Sequence, residues 1–303
     1  MMRILLLGKD GQLGQDLQLK LAAQGEIVCY GRDTLDLENA HSIRQVMRQI
    51  QPNIIVNAAA YTAVDQAESE PERAIAINGT APTILAEEAQ KLGAALLHVS
   101  TDYVFDGRKN TPYLEEDTPH PIGAYGQSKW LGEKGIQQSC DRYVILRTAW
   151  VYGVGGKGNF VKTMLRLGAD REELRVVVDQ VGSPTWTGDL AGVIAQFITH
   201  LYSDMDTQHP MTGIYHFTNS GAISWYDFAV AIFEEAVALD FPLKLQRVIP
   251  ITTAEYPTPA SRPAYSVLSN KKTSTLLGSY APHWRQGLRQ MLKQLAAPQS
   301  KSI

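Results

Sequence analysis

Tyr125 and Lys129 stand four residues apart in the stretch Tyr125-Gly126-Gln127-Ser128-Lys129, a spacing that brings two side chains to one face of a helix. A phenol has an ordinary pKa of about 10 and is a poor proton donor near neutral pH unless a neighbouring cation favours the phenolate. A lysine one turn along supplies that cation, so the pair suits proton delivery to an oxygen that is gaining charge. The spacing alone is common, and its setting gives it weight. Pro119, Pro121 and Gly123 precede it and an apolar-periodic run follows, as at a helix start. Upstream, Ser100-Thr101-Asp102 closes an apolar strand, and the Thr101 hydroxyl can donate to the same oxygen and polarise it. A Ser or Thr there can equally cap a turn, and for Ser100 the sequence does not choose. Together Thr101, Tyr125 and Lys129 suit reduction of a carbonyl, with hydride from one face and a proton to the developing alkoxide.

A hydride source must then be bound. Residues 3–7 form an apolar run of strand length that ends at Gly8, and Gly11 and Gly14 lead into Leu13, Leu17 and Leu21 at helical spacing. Strand, glycine turn and helix in that order make a dinucleotide site: the backbone turns tightly, approaches a pyrophosphate and offers it the helix amides. A second strand, residues 26–30, ends in Gly31-Arg32-Asp33. Arg32 stands where an NAD site carries an acid for the ribose 2′-hydroxyl and can pair with a 2′-phosphate, which favours NADPH; Asp33 and Asp36 keep NADH possible.

The remaining elements must hold these groups at one edge. Asn39 caps a helix carrying Ile43, Val46, Met47 and Ile50; a buried strand is expected over 53–60, a long helix over 71–92 and a strand over 94–100. A strand over 143–150 brings Trp150 to the same edge, followed by a mobile glycine-rich loop over 151–158 at the mouth of the site. Beyond it come a helix over 160–167, a strand over 174–178, a helix over 187–201 and a strand over 213–218 returning to the sheet. Alternating strands and helices predict an α/β fold, a Rossmann-type doubly wound parallel sheet. Trp225, Tyr226, Phe228 and Phe233 line a helix of a smaller C-terminal lobe, followed by an extended segment with Pro257, Pro259, Arg262 and Pro263 and a helix over 284–295. The expected division is 1–150 with a return of roughly 186–220 for the cofactor domain, and 151–185 with 221–303 for the substrate lobe. The residues after Pro298 read as disordered.

Composition agrees with an enzyme of small molecules. The 303 residues are 44% hydrophobic with a net charge of −3, so no basic footprint for nucleic acid exists. Gly8, Lys9 and Asp10 cut the first apolar run short of a signal peptide or membrane span, which favours a cytoplasmic location. Cys29 and Cys140 lie far apart without ligand spacing, against zinc or a disulfide framework.

The chain resembles the extended short-chain dehydrogenase/reductases and, within them, the family of dTDP-4-dehydrorhamnose reductases. The likeness is carried by the motifs at 7–14, 56–65, 100–105, 125–129, 147–152 and 257–263. It implies reduction of the 4-keto group of dTDP-4-dehydro-L-rhamnose. It also implies that Thr101, Tyr125 and Lys129 form a triad, that Gly11, Gln12, Leu13, Asp36, Leu37, Ala60 and Thr62 line the cofactor, and that Asp102 and Trp150 touch the sugar nucleotide, with Arg262 placed toward its diphosphate. The nearest alternative is another sugar-nucleotide epimerase or reductase of the same superfamily, or a 4,6-dehydratase, which would carry Glu after the strand-four Asp, where Tyr103 stands here. A non-catalytic NADP-binding regulatory subunit of methionine adenosyltransferase type would not need the intact triad.

Some members of the family dimerise around magnesium held by three glutamates, and the matching positions here are Gln15, Gly188 and Gln294. A hard cation needs carboxylate oxygens, so no magnesium bridge is expected, and the chain is a monomer or a metal-independent homodimer. Sedimentation velocity with and without a chelator should give the same species; a dimer lost on chelation contradicts this.

Overall fold

The computed structural model describes residues 1–203 and 211–297; the expectation for the residues after Pro298 lies outside them. In chain order the first half contains β1 (Arg3–Leu7), α1 (Gln12–Leu21), β2 (Glu26–Tyr30), α2 (Ala40–Ile50), β3 (Ile54–Asn57), α3 (Val64–Ala67), α4 (Pro71–Ile75), α5 (Ala81–Leu92), β4 (Ala95–Thr101), α6 (Ala124–Ser139) and β5 (Tyr143–Thr148). The second contains β6 (Val151–Tyr152), α7 (Phe160–Asp170), β7 (Glu173–Val177), β8 (Val181–Gly182), β9 (Thr185–Trp186), α8 (Thr187–Ser203), β10 (Gly213–His216), β11 (Ile223–Ser224), α9 (Trp225–Val237), β12 (Arg247–Ile251), α10 (Lys271–Leu277) and α11 (Trp284–Ala296).

Six parallel strands form the main sheet in the order β10-β5-β4-β3-β1-β2. Side chains alternate across a strand, so each strand feeds two cores. Ile4, Leu6, Val56, Leu97 and Val144 pack under α1 and α8; Leu5, Leu7, Ile55, Leu96 and Ile145 pack under α2, α5 and α6. A third cluster joins Val161, Leu174, Phe228, Phe233, Trp284 and Leu292 from α7, β7, α9 and α11. The aromatic row of α9 is core, as its spacing suggests.

Three elements differ from expectation. The strand after α2 stops at Asn57, because the Asn57 side chain accepts from Ala59 N at 3.2 Å and turns the chain out of the sheet. The helix over 71–92 is interrupted by a π turn, Ala76–Thr80. There the buried Asn78 bonds both backbone groups of Tyr61, at 2.8 and 3.0 Å, and reaches Ser128 Oγ at 3.0 Å. The extra residue of a π turn re-aims a side chain that a regular helix would turn elsewhere, and here it ties the loop after β3 to α6. Strand β5 ends at Thr148, and Trp150 lies beyond it with φ +48°, a left-handed conformation costly for a bulky residue. Stacking on Trp225, with ring centroids 3.5 Å apart, holds it there.

Helix α6 lies close against its neighbours because Gly126 has no side chain: a Cβ there would fall 2.2 Å from the Tyr103 carbonyl oxygen. Its buried face carries Glu133, whose carboxylate takes two bonds from Arg147 of β5, at 2.9 and 2.6 Å, and one from Ser100 Oγ. Both partners are essentially inaccessible, and the guanidinium also lies over the Phe105 ring. Ser100, undecided from sequence, is thus a partner of this ion pair.

Removing one side of a buried ion pair strands the other charge. Arg147→Met should lower the unfolding free energy by about 3–5 kcal/mol in urea denaturation, and the double change Glu133→Leu/Arg147→Met should recover most of that loss. Equal damage in the single and double variants contradicts the assignment.

Candidate active site

The carboxyl ends of β1, β3, β4 and β5 line one edge of the sheet, in register through Leu7, Asn57, His98 and the Thr101–Thr148 pair. At the first of them Gly8 takes φ +90°, where a Cβ would stand 2.8 Å from Ala59 N; a Cβ at Gly14 would stand 2.0 Å from the Gly8 carbonyl oxygen. The turn therefore admits only bare backbone. Gly11 is the N-cap of α1 and provides no side-chain cap, so the first amides of that helix are offered outward, as an anion requires. The residues present fit a dinucleotide. Leu13 and Gly14 are buried against the core, which leaves their backbone for a ligand, while Gln12 bonds Val151 O at 3.1 Å and Asn159 Nδ2 at 3.0 Å.

Ala60 and the exposed Thr62 lie in the loop after β3, and Arg32, Asp36 and Leu37 in the loop after β2. Arg32 is exposed and makes no ion pair among the described residues. Asp33 pairs with Lys9 at 3.2 Å, and Asp36 accepts from Glu38 N at 2.9 Å. The glycine-rich loop, expected to be mobile, is tied down in the structure: Lys162 Nζ bonds the carbonyls of Val154, Gly155 and Gly156, and Asn159 bonds that of Gly153.

Thr101 is both the last residue of β4 and the cap of the short turn Asp102–Val104. Its Oγ1 accepts from Tyr103 N at 3.2 Å and donates to Asp102 Oδ1 at 3.0 Å. Asp102 is 2% exposed, and its Oδ2 has no hydrogen-bond partner among the described residues. Desolvation raises this carboxyl to about 6, against the pull of the Ser266 and Thr101 hydroxyls.

Tyr125 sits on the first turn of α6, its ring edge-to-face with Tyr103 at 5.5 Å. Desolvation pushes its phenol well above the ordinary value; the nearby Thr101 hydroxyl offsets this in part, and Asp102 and Tyr103 add to the rise. Sequence places Lys129 as the cation that lowers this phenol; in the structure its amine is bonded elsewhere. Lys129 is 1% exposed, and its Nζ donates to Val99 O at 2.8 Å and lies 3.0 Å from His98 Nε2. Burial lowers this amine to about 8, with the Glu133 carboxylate opposing. The two side chains share the helix face but not a hydrogen bond.

Arg262 donates to Asp65 Oδ2 at 2.7 Å and to Tyr103 OH at 3.0 Å, which pins the Pro-rich segment beside the site. The structure thus gathers Thr101, Asp102, Tyr125, Lys129 and Arg262 near one edge, and leaves Trp150 stacked on Trp225 in the third cluster. Sequence reasoning missed Asn57, His98, Asp65 and Tyr103. The period-2 alternation of β4, in which a histidine interrupts an apolar run, was the available signal for His98. Gln15, Gly188 and Gln294 lie on α1, α8 and α11. No cluster of three His, Cys, Asp or Glu suited to a metal occurs among the described residues, and no described helix is long and apolar enough to cross a membrane.

A parallel doubly wound sheet, a bare glycine turn and a Thr/Tyr/Lys set at its carboxyl edge define a nicotinamide-dependent reductase of the short-chain type. The chain belongs to the family described as RmlD substrate binding domain, which it matches over residues 2–297. It is 44% identical to the dTDP-4-dehydrorhamnose reductase of Escherichia coli (strain K12), over 97% of this chain and 98% of that protein. With the enzyme of the same name from Burkholderia thailandensis it shares 42%, over 94% and 96%. The dTDP-4-dehydrorhamnose reductase of Bacillus anthracis, solved in complex with NADP, superposes with a TM-score of 0.88 at 39% identity, covering 97% of this chain and 100% of that one.

Raising a carboxyl's pKa on folding makes the native state bind a proton more tightly than the unfolded chain. The ionised form then costs stability, from nothing below the unfolded value near 4 to its full size above the folded value near 6. Asp102→Asn should therefore be more stable than the parent at pH 7, by up to about 3 kcal/mol, and equal to it below pH 4. Urea midpoints at the two pH values test this; a variant no more stable at pH 7 contradicts it.

Proposed function

We propose that this protein reduces the 4-keto group of dTDP-4-dehydro-L-rhamnose to dTDP-L-rhamnose, the last step in making that sugar donor, with NADPH preferred and NADH accepted. What carries this reading is the meeting of Thr101 and Tyr125 beside the bare glycine turn, in a chain whose whole length matches dTDP-4-dehydrorhamnose reductases.

The bound nicotinamide supplies the hydride. Gly8, Gly11, Gln12, Leu13 and Gly14 would hold its pyrophosphate through backbone amides, with Ala60 and Thr62 along its path and Arg32, Asp36 and Leu37 around the adenosine ribose. Tyr125 gives its phenolic proton to the carbonyl oxygen as charge develops there. Thr101 donates to the same oxygen once it releases Asp102 Oδ1, and a donor already aimed at developing charge stabilises the transition state. Lys129, when charged, favours the phenolate left behind. The unpartnered Asp102 Oδ2 accepts a sugar hydroxyl, since a buried acceptor without a partner is costly, and Trp150 gives the sugar nucleotide an aromatic edge. Arg262, held by Asp65 and Tyr103, faces the diphosphate.

We propose that 1–150 and roughly 186–220 hold the cofactor and 151–185 with 221–303 the substrate. We propose a cytoplasmic protein, a monomer or a metal-independent homodimer, with no nucleic-acid or membrane partner.

Loss of NADPH absorbance on adding dTDP-4-dehydro-L-rhamnose tests the reaction. Tyr125→Phe should lower kcat by about 10²–10⁴-fold, the range for a general acid, and leave the Kd for NADPH within about twofold. Bound cofactor without turnover in the parent protein would overturn the reading.

A further inference from the structure

The reaction as proposed gives the buried imidazole of His98 no role. His98, on β4, is fully inaccessible, and its two ring nitrogens each meet one side chain: Nδ1 lies 3.0 Å from Asn57 Nδ2, and Nε2 lies 3.0 Å from Lys129 Nζ. The Asn57 amide cannot be turned over. Its Oδ1 accepts from Ala59 N, and exchange would set an NH₂ against that N–H. Asn57 therefore donates to Nδ1, and a neutral imidazole that accepts at Nδ1 carries its proton on Nε2. That N–H points at Lys129.

An ammonium has three donors and no lone pair, so a charged Lys129 would face His98 donor to donor. A neutral amine has a lone pair to accept from Nε2–H, and it still donates to Val99 O. The other buried histidine of the sheet shows the contrast. His216 Nδ1 meets the Tyr113 carbonyl and its Nε2 faces Arg147 Nη1 at 3.5 Å, an acceptor on one side and a donor on the other, so its tautomer conflicts with neither partner.

We propose that Asn57 and His98 form a positioning pair that presents an N–H to Lys129 and favours its uncharged form in the cofactor-free enzyme, so that charging Lys129 requires His98 to leave Asn57. Burial acts in the same direction on both groups, holding His98 well below its ordinary value and Lys129 at about 8. Around Lys129 the other charged and titratable groups are Tyr125 and Glu133 on its own helix, Asp102 at the end of β4 and Arg147 on β5, with His216 of β10 behind Arg147. Glu133 alone favours the ammonium, and it is already bound by Arg147 and Ser100.

On the proposed reaction, which this inference deepens, the phenol stays a weak acid until Lys129 is charged. The tautomer itself does not depend on that reading. Long-range ¹H–¹⁵N correlation on the ¹⁵N-labelled, ligand-free full chain near pH 7, with the His98 signal assigned by its loss in His98→Gln, should show the neutral Nε2–H form. An Nδ1–H tautomer or an imidazolium overturns the proposal. In turnover, the amide introduced by His98→Gln can offer its oxygen to an ammonium, so the alkaline limb of kcat/KM should move up by about one pH unit. A uniform fall in kcat/KM with the limb unmoved means His98 only fills space. An inactive parent protein would sink the reductase reading and leave the tautomer standing.

Discussion

Helix α6 buries a polar edge against the sheet, and the rest of the site answers to that constraint. Tyr125, Lys129 and Glu133 recur at four-residue intervals on one face of α6, so packing that face takes an amine and a carboxylate out of water and half-buries a phenol beside them. A buried charge without a partner costs several kcal/mol, a large part of the roughly 5–15 kcal/mol that holds a typical fold. Partners are therefore obligatory, and β4 and β5 provide them: the Val99 carbonyl with His98 for Lys129, and Ser100 with Arg147 for Glu133, while Thr101 lies beside Tyr125. The polar residues at the end of β4 follow from the face of α6, and the Glu133–Arg147 pair anchors the far end of the row on which the proposed proton donor stands.

The same close packing explains the backbone irregularities. Gly126 lets α6 approach Tyr103, and the π turn at Ala76–Thr80 aims Asn78 at Ser128 on α6 and at Tyr61 in the loop after β3. The loop that borders the glycine turn is thereby fixed to the helix carrying Tyr125. On the opposite side, Gln12 joins the glycine turn to Val151 and Asn159. A shift of one wall is transmitted to the others through bonded side chains, which suits a site that must hold cofactor and substrate in one geometry.

Much of this was legible in the residues themselves. Hydrophobic period and glycine punctuation located the strands, their parallel order and the turn at Gly8, because those patterns report burial and local backbone demands. The Thr101, Tyr125 and Lys129 set was found by chemistry and spacing. What sequence could not supply was which polar group meets which across the sheet. Asn57 and His98 are forty-one positions apart and become neighbours only through the β3–β4 register. Lys129 was read as the partner of Tyr125 because helical spacing is visible in a sequence, while the depth that sends its amine to Val99 is not. Trp150 was read as the end of a strand for its apolar run, and its left-handed backbone depends on stacking with Trp225, from another element.

Burial moves the two ionisable groups that flank the phenol toward neutrality, Asp102 upward and Lys129 downward. In a cofactor-free site built from an acid, a phenol and an amine, the acid and the amine therefore titrate within about one unit of neutral pH. Both groups are buried, and in a buried site each charge that forms acts over its neighbours with little screening. Charging Lys129 would then stabilise the Tyr125 phenolate far more than an ammonium in water could, while an ionised Asp102 raises the phenol. The two groups pull the proton donor in opposite directions, so the acidity of Tyr125 is set by their balance. That balance is held on one side by the Asn57–His98 pair and on the other by whichever hydroxyl satisfies Asp102 Oδ2.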